Sequence, residues 1–396
     1  MLSEHTKTIV KATAPVMKEH GLTITLRMYD IMFTRYPKTK TLFNQTHQEN
    51  KQQPRALANS IYAYAANIDN LDALSDTIEL VAHKHASLNI RPEHYDIVAE
   101  CLIQAVKDIL KEAATTEIIS AWTEAYTFLA NVFINREEEL YQYDRNKAGG
   151  WNGFRPFIIT DKVKESTHVY SFYLRPQDNQ PLIDFQPGQY IALRTHLNNT
   201  TITRNYSLSA TDHSNHYRIS VKREEQGQLS PLLHDQLKIN DTVELTAPKG
   251  NFTLNNLEQT KQPIVFISGG IGITPLFAML EKTLNTPASP QITFIHATEN
   301  SKTHTFKNQL VDYSNQHADL LKSYTCYHQP LTQDQCDLTG TINQDWLREK
   351  LPKSQADYYL CGSPLFMKHI FQQLINLGIN EDTIHYEYFG PLEQMN

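Results

Sequence analysis

Three groups of residues carry side chains and spacings that can do chemistry. The first runs from Pro187-Gly188-Gln189-Tyr190 to Arg204-Asn205-Tyr206-Ser207. The Arg204 guanidinium presents its donors in a fixed fork that suits a pyrophosphate. Tyr206 and Ser207 follow on an extended run (Thr201, Ile202, Thr203). An aromatic ring there can lie against a flat ring system, and a hydroxyl can bond its edge, which is chemistry a flavin would use. A surface arginine beside a strand tyrosine is the plainer reading of the same residues. The second group is Gly269-Gly270-Ile271-Gly272-Ile273-Thr274-Pro275. Glycines there let backbone N–H groups approach a pyrophosphate at a helix N-terminus. A glycine loop alone is weak, but this one follows the apolar run 263–268 and precedes an apolar helical stretch, Leu276 to Leu284.

The third group centres on His85. Leu71, Leu74, Ile78, Val81, His85 and Leu88 recur at steps of three and four. That puts His85, and not His83, on an apolar helix face. A core histidine bonded to a carbonyl would satisfy this stripe. Tyr29 and Tyr95 also put hydroxyls on apolar stripes, and Glu137 sits one turn beyond Phe133 at the end of another. Buried polar groups need partners. With no metal-binding neighbour at i±4, His85 suits a single axial bond to haem iron better than a zinc site. A nucleotide supplies two electrons at once and an iron accepts them singly, so a flavin is needed between them.

Elements must position these residues. Up to about residue 143 the periodicity is helical. Leu26, Tyr29, Phe33 and Tyr36 share a face that Pro37 ends. Leu57, Ile61, Tyr64 and Ile68 share another. Pro92 stands where a first helical turn would start, ahead of Tyr95, Val98, Leu102, Ala105 and Ile109. Ile118, Trp122, Leu129, Phe133 and Glu137 form the last stripe. At Lys147–Gly153 the period changes from helical to alternating. Short strands are expected at Phe157–Val163, Val169–Leu174, Tyr190–Thr195, Ile202–Leu208, Tyr217–Lys222 and Val243–Thr246, with Tyr217, Ile219 and Val221 alternating. Regular short strands of this kind suggest a small closed barrel. Gly227-Gln228-Leu229-Ser230 precedes Leu232-Leu233, where Ser230 could cap a short helix. Further strands are expected at Ile292–Ala297 and Tyr358–Leu360. The expected architecture is multidomain: an all-α domain over 1–145, a linker over 146–153, an antiparallel β-barrel over 154–258 and a parallel α/β domain over 259–396.

Composition narrows the class. The chain has 396 residues and a formal net charge of −7. That length suggests two or three domains, and the negative charge with no basic run argues against a nucleic-acid surface. The four cysteines are scattered without a C-x-x-C pair. That argues against a disulfide scaffold or a zinc site and suits a reducing compartment. No secretory leader is read at the N-terminus, and no run of ~18 apolar residues predicts a membrane span.

The whole chain resembles the flavohaemoglobins, the nitric oxide dioxygenase family. The motifs are Tyr29, Leu42-Phe43, Gln53, Leu57, Lys84-His85, Tyr95, Asn131–Glu137 and Gly149-Gly150-Trp151. The resemblance makes residues 1–145 a globin and implies haem b, FAD and NAD(P)H as cofactors. It makes His85 the proximal iron ligand, with Lys84 beside it among the haem contacts. It places Phe43 on the haem, Tyr29, Gln53 and Leu57 on the ligand-binding side, and Tyr95 and Glu137 behind His85. A carboxylate bonded through His85 would push electron density to the iron. One departure is Pro54, which disfavours the helical region for Gln53 and moves it to the start of a helix. Similarity to ferredoxin-reductase-type flavoproteins makes Arg204, Asn205, Tyr206, Ser207 and Tyr190 the flavin seat. It makes Gly227 and Ser230 the second half of the pyrophosphate grip. It assigns Gly269, Gly270, Gly272, Thr274 and Pro275 to the nucleotide. Cys361-Gly362 would lie near the nicotinamide, with Ser363 standing where the family has proline. The tail His385–Pro391 resembles the family's end, where Phe389, beside Gly390 and Pro391, would cover the flavin face, unless the tail is a plain C-terminal strand. Glu299, ending a strand, favours the ribose 2′-hydroxyl of NADH over a 2′-phosphate, although Lys302 is close.

The implied reaction is NAD(P)H-driven conversion of NO and O2 to nitrate, in a cytoplasmic monomer without a membrane anchor. Two other readings remain open. One is a carrier or sensor of oxygen or NO that its flavin module keeps reduced. The other is a flavin reductase for ferric iron, quinones or peroxides.

Overall fold

The computed structural model describes residues 2–43, 48–197, 200–211, 215–255, 257 and 261–390. They gather into two compact units, one of residues 1–154 with 194–204, the other of residues 155–193 with 205–396. The expected boundary at residue 258 falls inside the second unit.

The first unit is helical: α1 Glu4–Arg35, α2 Gln52–Ala66, α3 Ser75–Ser87, α4 Pro92–Leu110 and α5 Thr116–Asn146. Local chemistry sets the ends. Ser3 accepts from Thr6 N at the start of α1, Thr115 accepts from Ile118 N at the start of α5, and Pro92 takes the first position of α4. Pro37 pushes Tyr36 out of the helical region (φ −126°, ψ 64°), and α1 stops at Arg35. The stripe from Leu71 to Leu88 is not one helix. Leu71–Leu74 is a separate 3-10 turn, and α3 begins at Ser75. The Ser75 hydroxyl donates to Asp72 O at 2.7 Å, one local bond that competes with a continuous α-helix. Ile24, Met28 and Met32 of α1 pack with Ala105 of α4 and with Trp122 and Ala125 of α5 in the core.

Two sheets follow, which apart from residues 194–204 belong to the second unit. β1 Arg155–Lys164, β2 Val169–Pro176, β3 Tyr190–Leu197, β4 Thr200–Ser207, β5 Tyr217–Lys222 and β6 Thr242–Leu245 form an antiparallel sheet in the order β4-β3-β6-β1-β2-β5. A single antiparallel bridge, Leu208 to Ile219, joins the segment after β4 to β5, the other end of that order. The alternation in β5 does not mark a wet face, because Arg218 and Ser220 are buried as well. The second sheet is parallel: β7 Ile264–Gly269, β8 Ile292–Thr298, β9 Leu321–Tyr327, β10 Leu338–Thr339, β11 Asp357–Gly362 and β12 Ile384–Tyr388, ordered β10-β9-β8-β7-β11-β12. Its helices are α6 Ile273–Leu284, α7 Lys307–Gln316, α8 Gln344–Lys350 and α9 Pro364–Asn376. Chain order reverses between β7 and β11, and open sheets of this kind bind ligands at the strand ends beside such a switch. Among the described residues no helix is long and apolar enough to cross a membrane.

Candidate functional site

His85 lies on α3 with its ring nitrogens in different surroundings. Nδ1 is 2.8 Å from Glu137 Oε1 on α5 and 2.9 Å from the Tyr95 hydroxyl on α4. Tyr95 donates to the same Glu137 oxygen at 2.5 Å. Burial, and then the Glu137 charge, push the Tyr95 phenol well above its ordinary range, so it stays a donor. A carboxylate facing Nδ1 holds the proton there and leaves the Nε2 lone pair to bind a metal. The His85 side chain is 34% exposed, whereas Glu137 is buried. Ile78, Val81 and Leu88, on the His85 face of α3, are likewise half-buried, while Ala82, His83, Ala86 and Ser87 on its other side are buried. His83 is therefore the more buried histidine, but its Nε2 meets Glu79 at 3.0 Å, and Glu79 is also gripped by Arg136. The half-buried apolar face with a donor nitrogen free for a metal fits an iron porphyrin. Lys84, beside His85, is half-buried.

Tyr29 is buried in α1, with its ring edge-on to Phe43 at 5.3 Å and tilted against Phe33 at 5.6 Å. Burial raises its hydroxyl to about 12, opposed by the neighbouring Gln48 and Gln53 side chains. Gln53 stands in the first turn of α2, next to Pro54, whose carbonyl accepts from Thr25 Oγ1 at 2.9 Å. That bond pins the start of α2 to α1 and sets Gln53 near the phenol. Leu57 is half-buried one turn further on. Sequence reasoning missed Gln48, which belongs to no periodic stripe and follows residues 44–47, outside the described segments.

Arg204, Asn205, Tyr206 and Ser207 lie on β4; Tyr206 is half-buried and Ser207 buried, while Asn205 is exposed. Arg204 Nη1 donates to Thr203 O at 2.7 Å. Tyr190 is buried at the start of β3, and a side chain at Gly250 (φ +114°) would meet its ring at 2.9 Å. Ser230 is not a helix cap. Gln228 holds that position before a three-residue helical turn, Leu229–Pro231. The Ser230 hydroxyl accepts instead from Glu224 N at 3.0 Å, closing the turn that Gly227 N makes onto Glu224 O. That turn lies upstream of the helix and takes the oxygen a cap would have offered.

The glycine loop follows β7 and leads into α6. Gly270 has φ +54° with no atom within 4 Å of a built Cβ. Gly272 has an ordinary φ of −61°, but a Cβ there would fall 2.2 Å from Cys361 O and 2.6 Å from Gly362 N. The two glycine-bearing strand ends therefore pack backbone to backbone at the switch point, as a nucleotide cradle requires. Thr274 donates from Oγ1 to Ile271 O at 3.1 Å, and Pro275 is buried in the first turn of α6. Cys361 is fully buried, and burial followed by the neighbouring Glu387 charge pushes its thiol well up. Glu387, paired with Cys361 in register, is buried and was not singled out from sequence. The one available signal is a carboxylate inside a strand pattern. Ser363 accepts from Phe366 N at 3.4 Å and caps α9, so the residue in place of proline starts a helix. Glu299 is exposed just past β8, as is Lys302. Phe389 is exposed and Gly390 half-buried; Pro391 lies outside the described residues.

Three family models match the chain: Globin over residues 26–133, Oxidoreductase FAD-binding domain over 156–254 and Oxidoreductase NAD-binding domain over 266–372. A flavohemoprotein of Rhizobium meliloti is 44% identical over 402 residues, covering 99% of both chains. One of Bacillus thuringiensis subsp. konkukian is 42% identical with the same coverage. The solved flavohemoglobin of Malassezia yamatoensis, with bound FAD and heme, superposes with a TM-score of 0.89 at 27% identity, over 98% of this chain and 100% of that one. The flavohem-like FAD/NAD-binding domain of a Vibrio cholerae nitric oxide dioxygenase matches with a TM-score of 0.54 at 34% identity, over 60% of this chain and 99% of that one.

Proposed function

The chain belongs to the flavohemoproteins, and from that premise we propose that it is an NAD(P)H-dependent nitric oxide dioxygenase that converts NO and O2 to nitrate. When bound, NAD(P)H and FAD supply a hydride and then single electrons, and haem supplies the iron at which O2 and NO react. The chain's own residues prepare four places for this chemistry. Gly269, Gly270 and Gly272 open the backbone to a pyrophosphate at the start of α6, with Thr274 and Pro275 setting its first turn. Arg204, Tyr206 and Ser207 bind and orient the flavin, with Asn205, Tyr190 and the Gly227–Ser230 turn shaping its seat. Cys361 and Gly362 would lie near the nicotinamide, and Phe389, followed by Gly390, would cover the flavin face where it docks. On the globin side His85 holds the iron, Phe43, Leu57 and Lys84 contact the porphyrin, and Tyr29 and Gln53 offer hydrogen bonds to a diatomic ligand.

The observation that carries this reading is the Glu137–Tyr95–His85 cluster in a chain that also holds a reductase. A buried carboxylate on Nδ1 makes His85 a stronger electron donor, which favours reaction at the iron over simple storage. The likeness to the reductase part of a Vibrio cholerae nitric oxide dioxygenase supports the same reading. A reducing cytoplasm would suit the four free thiols. The test is nitrate formation from NO in aerobic buffer with NADH. One nitrate per NO, dependent on NADH, is expected. NADH oxidation that leaves NO untouched would point to the flavin-reductase alternative. NO or O2 binding with no nitrate would point to the carrier or sensor.

A further inference from the structure

Arg218 on β5 belongs to the flavin-binding sheet, yet it is buried and makes none of that sheet's apolar core. Its guanidinium lies over Phe306 at 4.9 Å and Phe277 at 5.6 Å, both in the nucleotide-binding half. Its Nη2 donates to Ser209 O, and its Nε lies 3.2 Å from Ser209 Oγ. Ser209 is two residues past Ser207, at the end of the proposed flavin strand. The Arg218 guanidinium also lies 3.9 Å from Glu281 Oε1 on α6, the helix that starts at the glycine loop. Glu281 is held from three further directions. Thr211 N donates to its Oε2 at 2.8 Å and Thr211 Oγ1 lies 3.3 Å away, while Tyr313 OH on α7 donates to Oε1 at 3.2 Å. The Glu281 and Arg218 side chains are only 12% and 9% exposed.

We infer that Glu281 is a positioning residue for hydride transfer, tying the nucleotide helix α6 to the flavin strand β4 through Thr211 and Arg218. This rests on the NAD(P)H-to-FAD step of the reading above and not on its NO chemistry. A buried ion pair is weak as a source of stability, because desolvation offsets the attraction. Its directional bonds instead select one arrangement among several that apolar packing would tolerate. Thr211 is four residues from Ser207, and Glu281 is two helical turns from Ile273. The link therefore joins the helix that starts at the glycine loop to the segment that follows the proposed flavin strand. Reacting atoms must sit about 3–3.5 Å apart, and an error of ~1 Å can cost ~100-fold in rate.

The experiment is anaerobic stopped-flow reduction of the FAD in the holoenzyme by NADH and by its 4-deuterated form. Kd for NADH, bound FAD and melting temperature are measured alongside. Glu281→Ala is expected to slow hydride transfer ~10- to 100-fold per bound FAD, keep the deuterium isotope effect and change Kd less than about threefold. Glu281→Gln, which keeps an acceptor for Thr211 N and Tyr313, is expected to recover much of that rate. A transfer rate within about twofold of wild type, or a rate that falls only in step with NADH binding, overturns the inference. If Glu281→Ala fails to hold FAD, Tyr313→Phe, which removes one bond to Glu281, is read by the same criteria. Failure of the wild type to reduce its FAD with NADH would instead sink the proposed function.

Discussion

Replacing Gly272 by alanine adds one methyl group at the place where two strand ends meet. The added Cβ would fall 2.2 Å from Cys361 O, 2.4 Å from Cys361 C and 2.6 Å from Gly362 N. Ordinary contact with the first of these needs about 3.4 Å, so the two segments must part by about 1.2 Å (3.4 − 2.2). The neighbouring ladder resists this, because Ser268 pairs with Cys361 and Ile267 with Leu360 just upstream. The displacement therefore falls on the loop that would hold the pyrophosphate and on Cys361-Gly362, beside the proposed nicotinamide site. A displacement of that size in a reacting geometry costs on the order of 100-fold, and the overpacking itself about 1–3 kcal/mol. Gly270 is the internal comparison. Its φ of +54° strains an alanine, but a Cβ there meets nothing within 4 Å. Gly270→Ala should cost about 1–2 kcal/mol of local stability, and Gly270→Asn should recover part of it. The assay is single-turnover reduction of FAD by NADH, with haem and flavin spectra recorded to show that both groups stay bound. Gly272→Ala is expected to lose ~100-fold in hydride transfer with both spectra intact. A rate within about threefold of wild type would show that the loop yields without harm and would refute the reasoning.

Tyr29→Phe keeps the ring against Phe43 and removes only the hydroxyl; losing a bond of roughly 1.5–3 kcal/mol to a bound ligand should speed O2 release ~10- to 100-fold. Stopped-flow O2 dissociation from the reduced protein checks it, and a change under about twofold would return Tyr29 to a packing role. Glu137→Gln replaces a carboxylate at His85 Nδ1 by a neutral amide. If the charged bond is worth about 1.4 kcal/mol more, the haem reduction potential should rise by about 59 mV, and an unmoved potential in a potentiometric titration would leave Glu137 a structural acid. His304 is held neutral in the fold by burial, its value falling to about 3. An unfolded histidine takes its proton near 6.5, so the unfolded state binds more protons below that pH, and the stability His304 contributes is lost as pH falls from about 6.5 towards 3. Between pH 7 and pH 5 the loss is on the order of 2 kcal/mol; urea melts should show a shallower pH dependence for His304→Gln, and equal slopes would disprove the assignment.

What the sequence displayed depended on whether a polar residue broke a pattern. His85, Tyr95 and Glu137 interrupt apolar stripes, and a buried polar group must find a partner. The stripes therefore marked each of them as needing a partner, and the resemblance to the flavohaemoglobins implied that Tyr95 and Glu137 stand behind His85. Gly269–Pro275 stood out in the same way, through the apolar strand before it and the apolar helix after it. Gly272 was legible as a special position, but its reason was not. Sequence suggests an open approach for a pyrophosphate, whereas the constraint is the backbone of Cys361, 89 residues further along the chain. Ser230 misled because Ser-Pro-Leu-Leu reads like a helix start, and nothing in it shows that the Glu224 turn already uses the hydroxyl. Arg218 and Glu281 were invisible for the opposite reason to His85. In β5 an arginine between Tyr217 and Ile219 is what a half-exposed strand should carry, and a glutamate late in α6 looks like the wet side of a helix. Both are covered by segments far away in the chain, Phe306 and Tyr313 among them. Periodicity separates two faces of an element but does not say whether the second face meets water or another domain. In a chain built of joined modules, the polar residues at their seams read as surface until the fold shows what covers them.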